Sequence, residues 1–136
     1  MARILLIDDD DALRTMLRLT LIHFGHTVIE ARNGREGLAL FPHAEADLVI
    51  TDIVMPEVEG IEVLMTLRKI KPLVKIIAIS GGGRGNATDY LRIALKIGAA
   101  KVLTKPFSNE ALVSAVEELL SGGTSTATPA ALTRPS

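Results

Sequence analysis

The sequence predicts an α/β fold built on a doubly wound parallel sheet, and three observations carry that expectation. Short, fully apolar runs bounded by polar residues recur along the chain, as in strands buried on both faces. Segments with helical spacing lie between them, so strand and helix alternate five times. Strands separated by helices are joined by crossovers, and right-handed crossovers place parallel strands in one sheet with helices on both faces. The length agrees: 136 residues, at roughly 150 per domain, leave room for one domain and a short tail.

The first run, Ile4-Leu5-Leu6-Ile7, sits between Arg3 and a block of four aspartates and is too short for a helix. The helix after it carries Leu13, Leu17, Leu21 and Phe24 on one stripe. Asp9, Asp10 and Asp11 lie at the positive end of its dipole, and Gly25 is its stop signal. Thr27-Val28-Ile29 is a weaker, amphipathic second strand. The second helix is expected over 33–41, stopping at Pro42. Leu48-Val49-Ile50 marks the third strand. The third helix, 60–70, carries Ile61, Leu64 and Leu67 and ends before Pro72. Ile76-Ile77-Ala78-Ile79 is the fourth strand, followed by a helix over 86–97. Val102-Leu103 marks the fifth strand, and the last helix begins at Ser108 and repeats Leu112, Val113, Val116, Leu119 and Leu120. After Ser121 the composition turns to Gly, Ser, Thr, Ala and Pro with one charge, Arg134. Residues 1–121 are therefore expected to form the domain, and 122–136 a flexible tail or linker stump.

Composition narrows the function classes. Hydrophobic residues make up 48% of the chain and aromatics 3%, so one core is filled by aliphatic side chains. Lys plus Arg number 15 against 16 Asp plus Glu, a net charge of -1 that lacks the basic excess needed for phosphate-backbone binding. No direct nucleic-acid contact is expected. The absence of cysteine excludes a disulfide scaffold, thiolate catalysis and Cys-ligated metal. No apolar run approaches the ~20 residues that span a bilayer, and the N-terminus lacks the ~7–15-residue apolar centre of a signal peptide. A cytoplasmic location without membrane contact is the expectation.

In an open parallel sheet the ligand site lies outside the carboxyl ends of the strands, where the winding reverses. Asp8 and Asp9 follow the first strand, Thr51 and Asp52 the third, Ser80 and three glycines the fourth, and Thr104, Lys105 and Pro106 the fifth; only the second ends in nothing distinctive. Three carboxylates at one edge repel one another, and at least one has its pKa raised unless a cation is present. Magnesium suits such a site, since it binds through one or two carboxylates, keeps waters and admits phosphate oxygens. One carboxylate is then free to attack phosphorus and form an aspartyl phosphate, with Lys105 and Ser80 supplying a cation and a hydroxyl.

These residues, Asp8-Asp9 in LLIDDDD, Asp52 in DLVITDIVMPEVEG, Ser80 in IIAISGGG and Lys105 in KVLTKPF, resemble the receiver domain of two-component response regulators of the chemotaxis-regulator type, over residues 2–120. The resemblance implies a flavodoxin-like five-stranded sheet in the order 2-1-3-4-5 with five helices. It implies a phosphoprotein rather than an enzyme acting on other molecules: Asp52 accepts a phosphoryl group from a histidine kinase, a phosphorelay partner or a small phosphodonor. Magnesium is held by Asp9, Asp52 and the backbone carbonyl of Val54, with Asp8 behind them. Lys105 precedes a typically cis proline bond at Pro106. Ser80 is the switch hydroxyl, which shifts the following loop and fourth helix and changes which partner binds the face of the fourth helix, fifth strand and fifth helix.

Two positions depart from the family's usual pattern. An aromatic often lies three residues before the lysine; here it is Val102, so coupling is expected to run through Ser80, the glycines Gly81, Gly82 and Gly83, and the fourth helix. Val54 is apolar and offers an attacking water no hydrogen bond, which predicts a long-lived aspartyl phosphate. On the fourth helix Leu91, Ala94 and Leu95 form one stripe and Tyr90, Ile93 and Ile97 an adjacent one. That arc is wider than one packed face needs and marks a partner surface, a second copy of the chain among the candidates. Asp10 and Asp11 read as helix-start charges, and Glu57 and Glu59 as solvated loop charges. His23, His26 and His43 have no assigned role. A rival reading is an aspartate-nucleophile phosphatase of haloacid-dehalogenase type, which shares the Asp, magnesium, Ser or Thr and Lys. It lacks here the second acidic motif and the cap that family expects. No effector domain fits within the sequence, and a stand-alone receiver is expected over an excised one; the kinase, the input signal and the output target are not legible.

Overall fold

A computed structural model of the chain describes residues 2–53, 60–80 and 87–121, with the side chains of 87–91 outside that description. Its elements are β1 (Arg3–Ile7), α1 (Asp11–His23), β2 (Thr27–Ala31), α2 (Gly34–Ala44), β3 (Leu48–Asp52), α3 (Gly60–Ile70), β4 (Lys75–Ser80), α4 (Ala87–Ile97), β5 (Lys101–Thr104) and α5 (Asn109–Leu120). The five strands form one sheet in the order β2-β1-β3-β4-β5, every pair parallel. This is the doubly wound architecture the alternation predicts. The winding reverses between β1 and β3.

Because successive strand residues point to opposite faces, each apolar run feeds two cores. Leu5, Ile7, Val49, Ile76 and Ala78 meet Phe41 and Ala44 of α2, Val63, Leu64 and Leu67 of α3 and Ala94 of α4. On the other face Ile4, Leu6, Leu48, Ile50, Ile77 and Ile79 meet Leu17 and Leu21 of α1 and Leu112, Ala115, Val116 and Leu119 of α5. Burying each Leu or Ile side chain stabilises the fold by roughly 1.5–3 kcal/mol. One close approach sets the layer spacing near the carboxyl end of β1: a Cβ on Gly37 of α2 would collide with the Ile7 side chain.

Side-chain caps start three helices. Asp10, Asn33 and Ser108 accept the backbone N–H of Leu13, Glu36 and Ala111, respectively. Asp10 therefore acts at the helix start, as its position in the sequence implies. Asp11 does so too, in the first turn of α1.

Three local expectations are corrected. The second helix does not stop at Pro42 but runs through it to Ala44. Proline lacks an N–H to continue the helix, yet the final turn is anchored because Phe41 and Ala44 are buried in the core. Phe24 is not on the inward stripe of α1. It is the C-cap and is 50% exposed, since Gly25 at φ 94 turns the chain away from the helix. In α4, Leu95 is 51% exposed, while Ala94 is buried and Ile97 packs on the core. The inward stripe is Ala94 and Ile97.

The expected tail, 122–136, lies outside the described residues. So do Val54, Glu57, Glu59, Gly81, Gly82, Gly83 and the side chains of Tyr90 and Leu91.

Candidate functional site

Register brings the predicted residues to one end of the sheet. Asp52 closes β3 opposite Ile79 of β4, and Ser80 closes β4 opposite Thr104 of β5. Asp8 follows β1, whose last residue, Ile7, pairs with Thr51. The Asp8 backbone N–H continues the ladder to the carbonyl of Ala31 at 3.1 Å, and the Lys105 N–H does the same to Ser80 at 2.8 Å. The Lys105–Pro106 peptide bond is cis. The predicted side chains of Asp8, Asp52, Ser80 and Lys105 thus leave a backbone that sheet hydrogen bonds have already positioned. Thr51 donates its hydroxyl to the carbonyl of Asp52, a backbone-bonding role.

Asp8, Asp52 and Ser80 are buried, at 0%, 4% and 0% exposure, whereas Asp9 is exposed. Lys105 Nζ donates to Asp52 Oδ2 at 3.2 Å and lies 3.9 Å from Asp8 Oδ2. Asp8 Oδ1 accepts the Asp10 N–H at 2.9 Å, but its Oδ2 is buried without a hydrogen-bond partner. Burial pushes the Asp8 carboxyl up to about 6, and the charges of Asp52 and Asp9 add to that, while the Asp10 N–H and Lys105 oppose it. Burial also works against the Lys105 ammonium, but attraction to Asp8 and Asp52 outweighs it and raises its pKa above the ordinary lysine value.

Asp8, Asp9 and Asp52 each offer a carboxylate oxygen, and the three oxygens lie within 4.8 Å of one another. Hard oxygen donors, an excess of negative charge and an orphaned buried oxygen fit a small divalent cation such as magnesium. The set can also act as a nucleophile: Asp52 is a carboxylate with a cation already hydrogen-bonded to it.

Of the residues predicted for the partner surface, Ile93 is 43% exposed, and Ile97 and Val102 are partly buried against the core. Two residues absent from the sequence reading also reach the site. Arg14 on α1 is buried and donates to the carbonyl of Asp8, and Glu30 near the end of β2 accepts from Arg14. The strand that ended in nothing distinctive therefore carries a partner. The available signal was Arg14 itself, three residues before Leu17 and seven before Leu21, on the helix face that is otherwise apolar.

Comparison with known families matches residues 4–117 to the response regulator receiver domain. The DNA-binding transcriptional regulator NtrC of Azospirillum brasilense is 38% identical over 134 residues, which are 96% of this chain and 26% of the relative. The chemotaxis protein CheY of Thermotoga maritima is 35% identical over 118 residues, 86% of this chain and 96% of the relative. This chain thus spans about a quarter of the first protein and nearly all of the second. Among solved structures, a receiver domain protein from Clostridium thermocellum superposes with a TM-score of 0.82 at 32% identity, covering 89% of this chain and 95% of that one. No helix among the described residues is long and apolar enough to cross a membrane. With the sheet order, the acidic cluster and the lysine in agreement, the chain belongs to the response regulator receiver domain family of two-component signalling.

Proposed function

We propose that this receiver accepts a phosphoryl group on Asp52 and that the modification changes which protein it binds. The supporting observation is the pairing of a buried carboxylate at the end of β3 with Lys105, beside two further carboxylates. An Asp52 oxygen attacks phosphorus in line with the donor's P–N bond. The O–P bond forms as the P–N bond breaks, and the histidine nitrogen of the donor leaves with the electron pair and takes a proton from solvent. Lys105 stays beside the phosphoryl oxygens and balances their charge. Asp9, Asp52 and the backbone carbonyl of Val54 would hold magnesium, with Asp8 behind them. When bound, the ion supplies positive charge to the phosphoryl oxygens and relieves the repulsion among the carboxylates.

After transfer, the Ser80 hydroxyl donates to a phosphate oxygen and draws Gly81, Gly82 and Gly83 and α4 with it. The face that includes Tyr90, Ile93, Ile97 and Val102 then changes its affinity for a partner, either an effector or a second copy of the chain, by a population shift between two states. Val54 places no hydrogen bond on an attacking water, so the phosphate is long-lived. The donor is a histidine kinase, a phosphotransfer protein or a small phosphodonor.

Incubation with magnesium and acetyl phosphate or phosphoramidate tests this reading. A mass gain of one phosphoryl group that vanishes in Asp52→Asn supports it. No gain from any donor or kinase overturns it.

A further inference from the structure

Arg14 has no place in the reading above, yet it is a buried charged residue among the described ones. It sits one turn into α1, and its guanidinium makes three separate hydrogen bonds. Nη1 donates to the carbonyl oxygen of Asp8 at 2.8 Å, Nη2 to Asp11 Oδ1 at 2.7 Å, and Nε to Glu30 Oε1 at 3.1 Å. Burial opposes its charge, but Asp11 and Glu30 raise its pKa above that of an ordinary arginine. A guanidinium suits this position because its planar fork directs several donors at once, which a lysine ammonium does not.

The contact with Asp8 differs in kind from the other two. The Asp8 carbonyl belongs to the peptide that carries Asp9, the exposed member of the acidic cluster. With the Arg14 bond, the Asp8 backbone is tied at both its N–H and its carbonyl. The Asp8 N–H goes to Ala31, its carbonyl to Arg14 and its Oδ1 to the Asp10 N–H, while Asp10 caps α1 through Leu13. Of these bonds, the one from Arg14 is made to the peptide between Asp8 and Asp9 itself, while the Asp8 N–H and the Asp10 N–H anchor the peptides before and after it. Glu30, anchored in β2, in turn fixes the guanidinium. Arg18 Nε lies 2.8 Å from Glu30 Oε2 without hydrogen-bond alignment.

We propose that Arg14 is a positioning residue: held by Glu30, it locks the Asp8–Asp9 peptide so that the two carboxylates present their oxygens to the cation site together with Asp52. This rests on the proposed cation-dependent function, and it assigns part of that site's organisation to α1 and β2. Residues that orient ligands from behind alter metal affinity by about tenfold or more when removed.

The test uses Arg14→Met, Arg14→Lys, Glu30→Gln and, as a control on the same glutamate, Arg18→Met. Magnesium affinity is titrated by NMR on each folded protein, and amide hydrogen exchange is measured at Asp10 without metal. Arg14→Met is expected to weaken magnesium about tenfold and to lose protection at Asp10. Arg14→Lys is expected to restore part of both, Glu30→Gln to give a smaller loss, and Arg18→Met to leave both within twofold. A merely structural staple between α1 and β2 lowers the melting temperature without changing the affinity of the folded protein. Arg14→Met, or Glu30→Gln where the former does not fold, with magnesium affinity and Asp10 protection within twofold of wild type overturns the proposal. If the wild-type chain binds no magnesium, the functional reading fails, while Asp10 exchange still decides whether Arg14 locks the turn.

Discussion

The two ends of the sheet treat charge in opposite ways. At the amino end of the strands the described polar groups around Arg3, Asp47 and Lys75 are paired one to one. The Arg3 N–H bonds Asp47 Oδ2 at 2.9 Å, the Asp47 N–H returns to the Arg3 carbonyl at 2.7 Å, and Lys75 Nζ bonds the Leu119 carbonyl at 2.7 Å. At the carboxyl end three carboxylates crowd together, two of them sharing Lys105, and one of their oxygens is buried without a hydrogen bond. Satisfied pairs at one end add stability. Crowded like charges at the other raise one another's energy, a repulsion that a bound cation would relieve. On the proposed function the site binds and releases charge, and the cost of crowding like charges there is tolerable on a backbone the rest of the sheet holds rigid.

The sharpest way to break this contrast is Asp52→Asn, which is expected to abolish phosphoryl uptake entirely while the chain stays folded, as read by mass and by far-UV circular dichroism. Uptake that persists on another residue would show that the crowded end is not organised around Asp52. Next in size is Lys105→Met, which removes the cation shared by Asp8 and Asp52. Phosphoryl uptake from acetyl phosphate is expected to slow on the order of a hundredfold. The Asp8 carboxyl should titrate at still higher pH, because Lys105 holds it down.

A third measurement reads the cost at Asp8 directly. In the metal-free folded chain Asp8 keeps its proton up to about pH 6, against an ordinary value of 3.8 in the unfolded chain. Between those values the unfolded chain binds fewer protons, so stability falls as pH rises through the window. The loss totals roughly 3 kcal/mol and is complete above it. Urea midpoints at pH 4 and pH 7 check this: Asp8→Asn should flatten the slope, and saturating magnesium should offset the loss at pH 7 by binding the ionised form. Wild type and Asp8→Asn with the same slope would contradict the contrast. The smallest effect belongs to the other end of the sheet. Lys75→Met is expected to lower stability by about 1 kcal/mol at every pH and to leave phosphoryl uptake unchanged; a change in uptake would mean that the two ends are coupled.

Much of this was legible in the sequence, and the exceptions have physical reasons. Apolar runs such as Ile4-Leu5-Leu6-Ile7 identify buried strands because burial on both faces removes any need for alternation. Pro42 misleads because a terminal turn can survive a missing hydrogen bond when Phe41 and Ala44 are held in the core. Leu95 misleads because an apolar residue at helical spacing is not obliged to face inward. Arg14 and Glu30 escape a linear reading because they are 16 positions apart on different elements, and nothing local requires either to find the other.

Local chemistry thus determined the element order, the caps at Asp10, Asn33 and Ser108, and the residue types that follow each strand, since helix and strand periods are short-range properties of a chain. Only the tertiary structure decided that Asp8 is buried with one oxygen left over, that Lys105 serves two carboxylates at once, and that a guanidinium from α1 holds the turn between β1 and α1. Those facts depend on which segments crossovers bring side by side and on the water they exclude, and desolvation is a property of the assembled sheet rather than of any stretch of sequence.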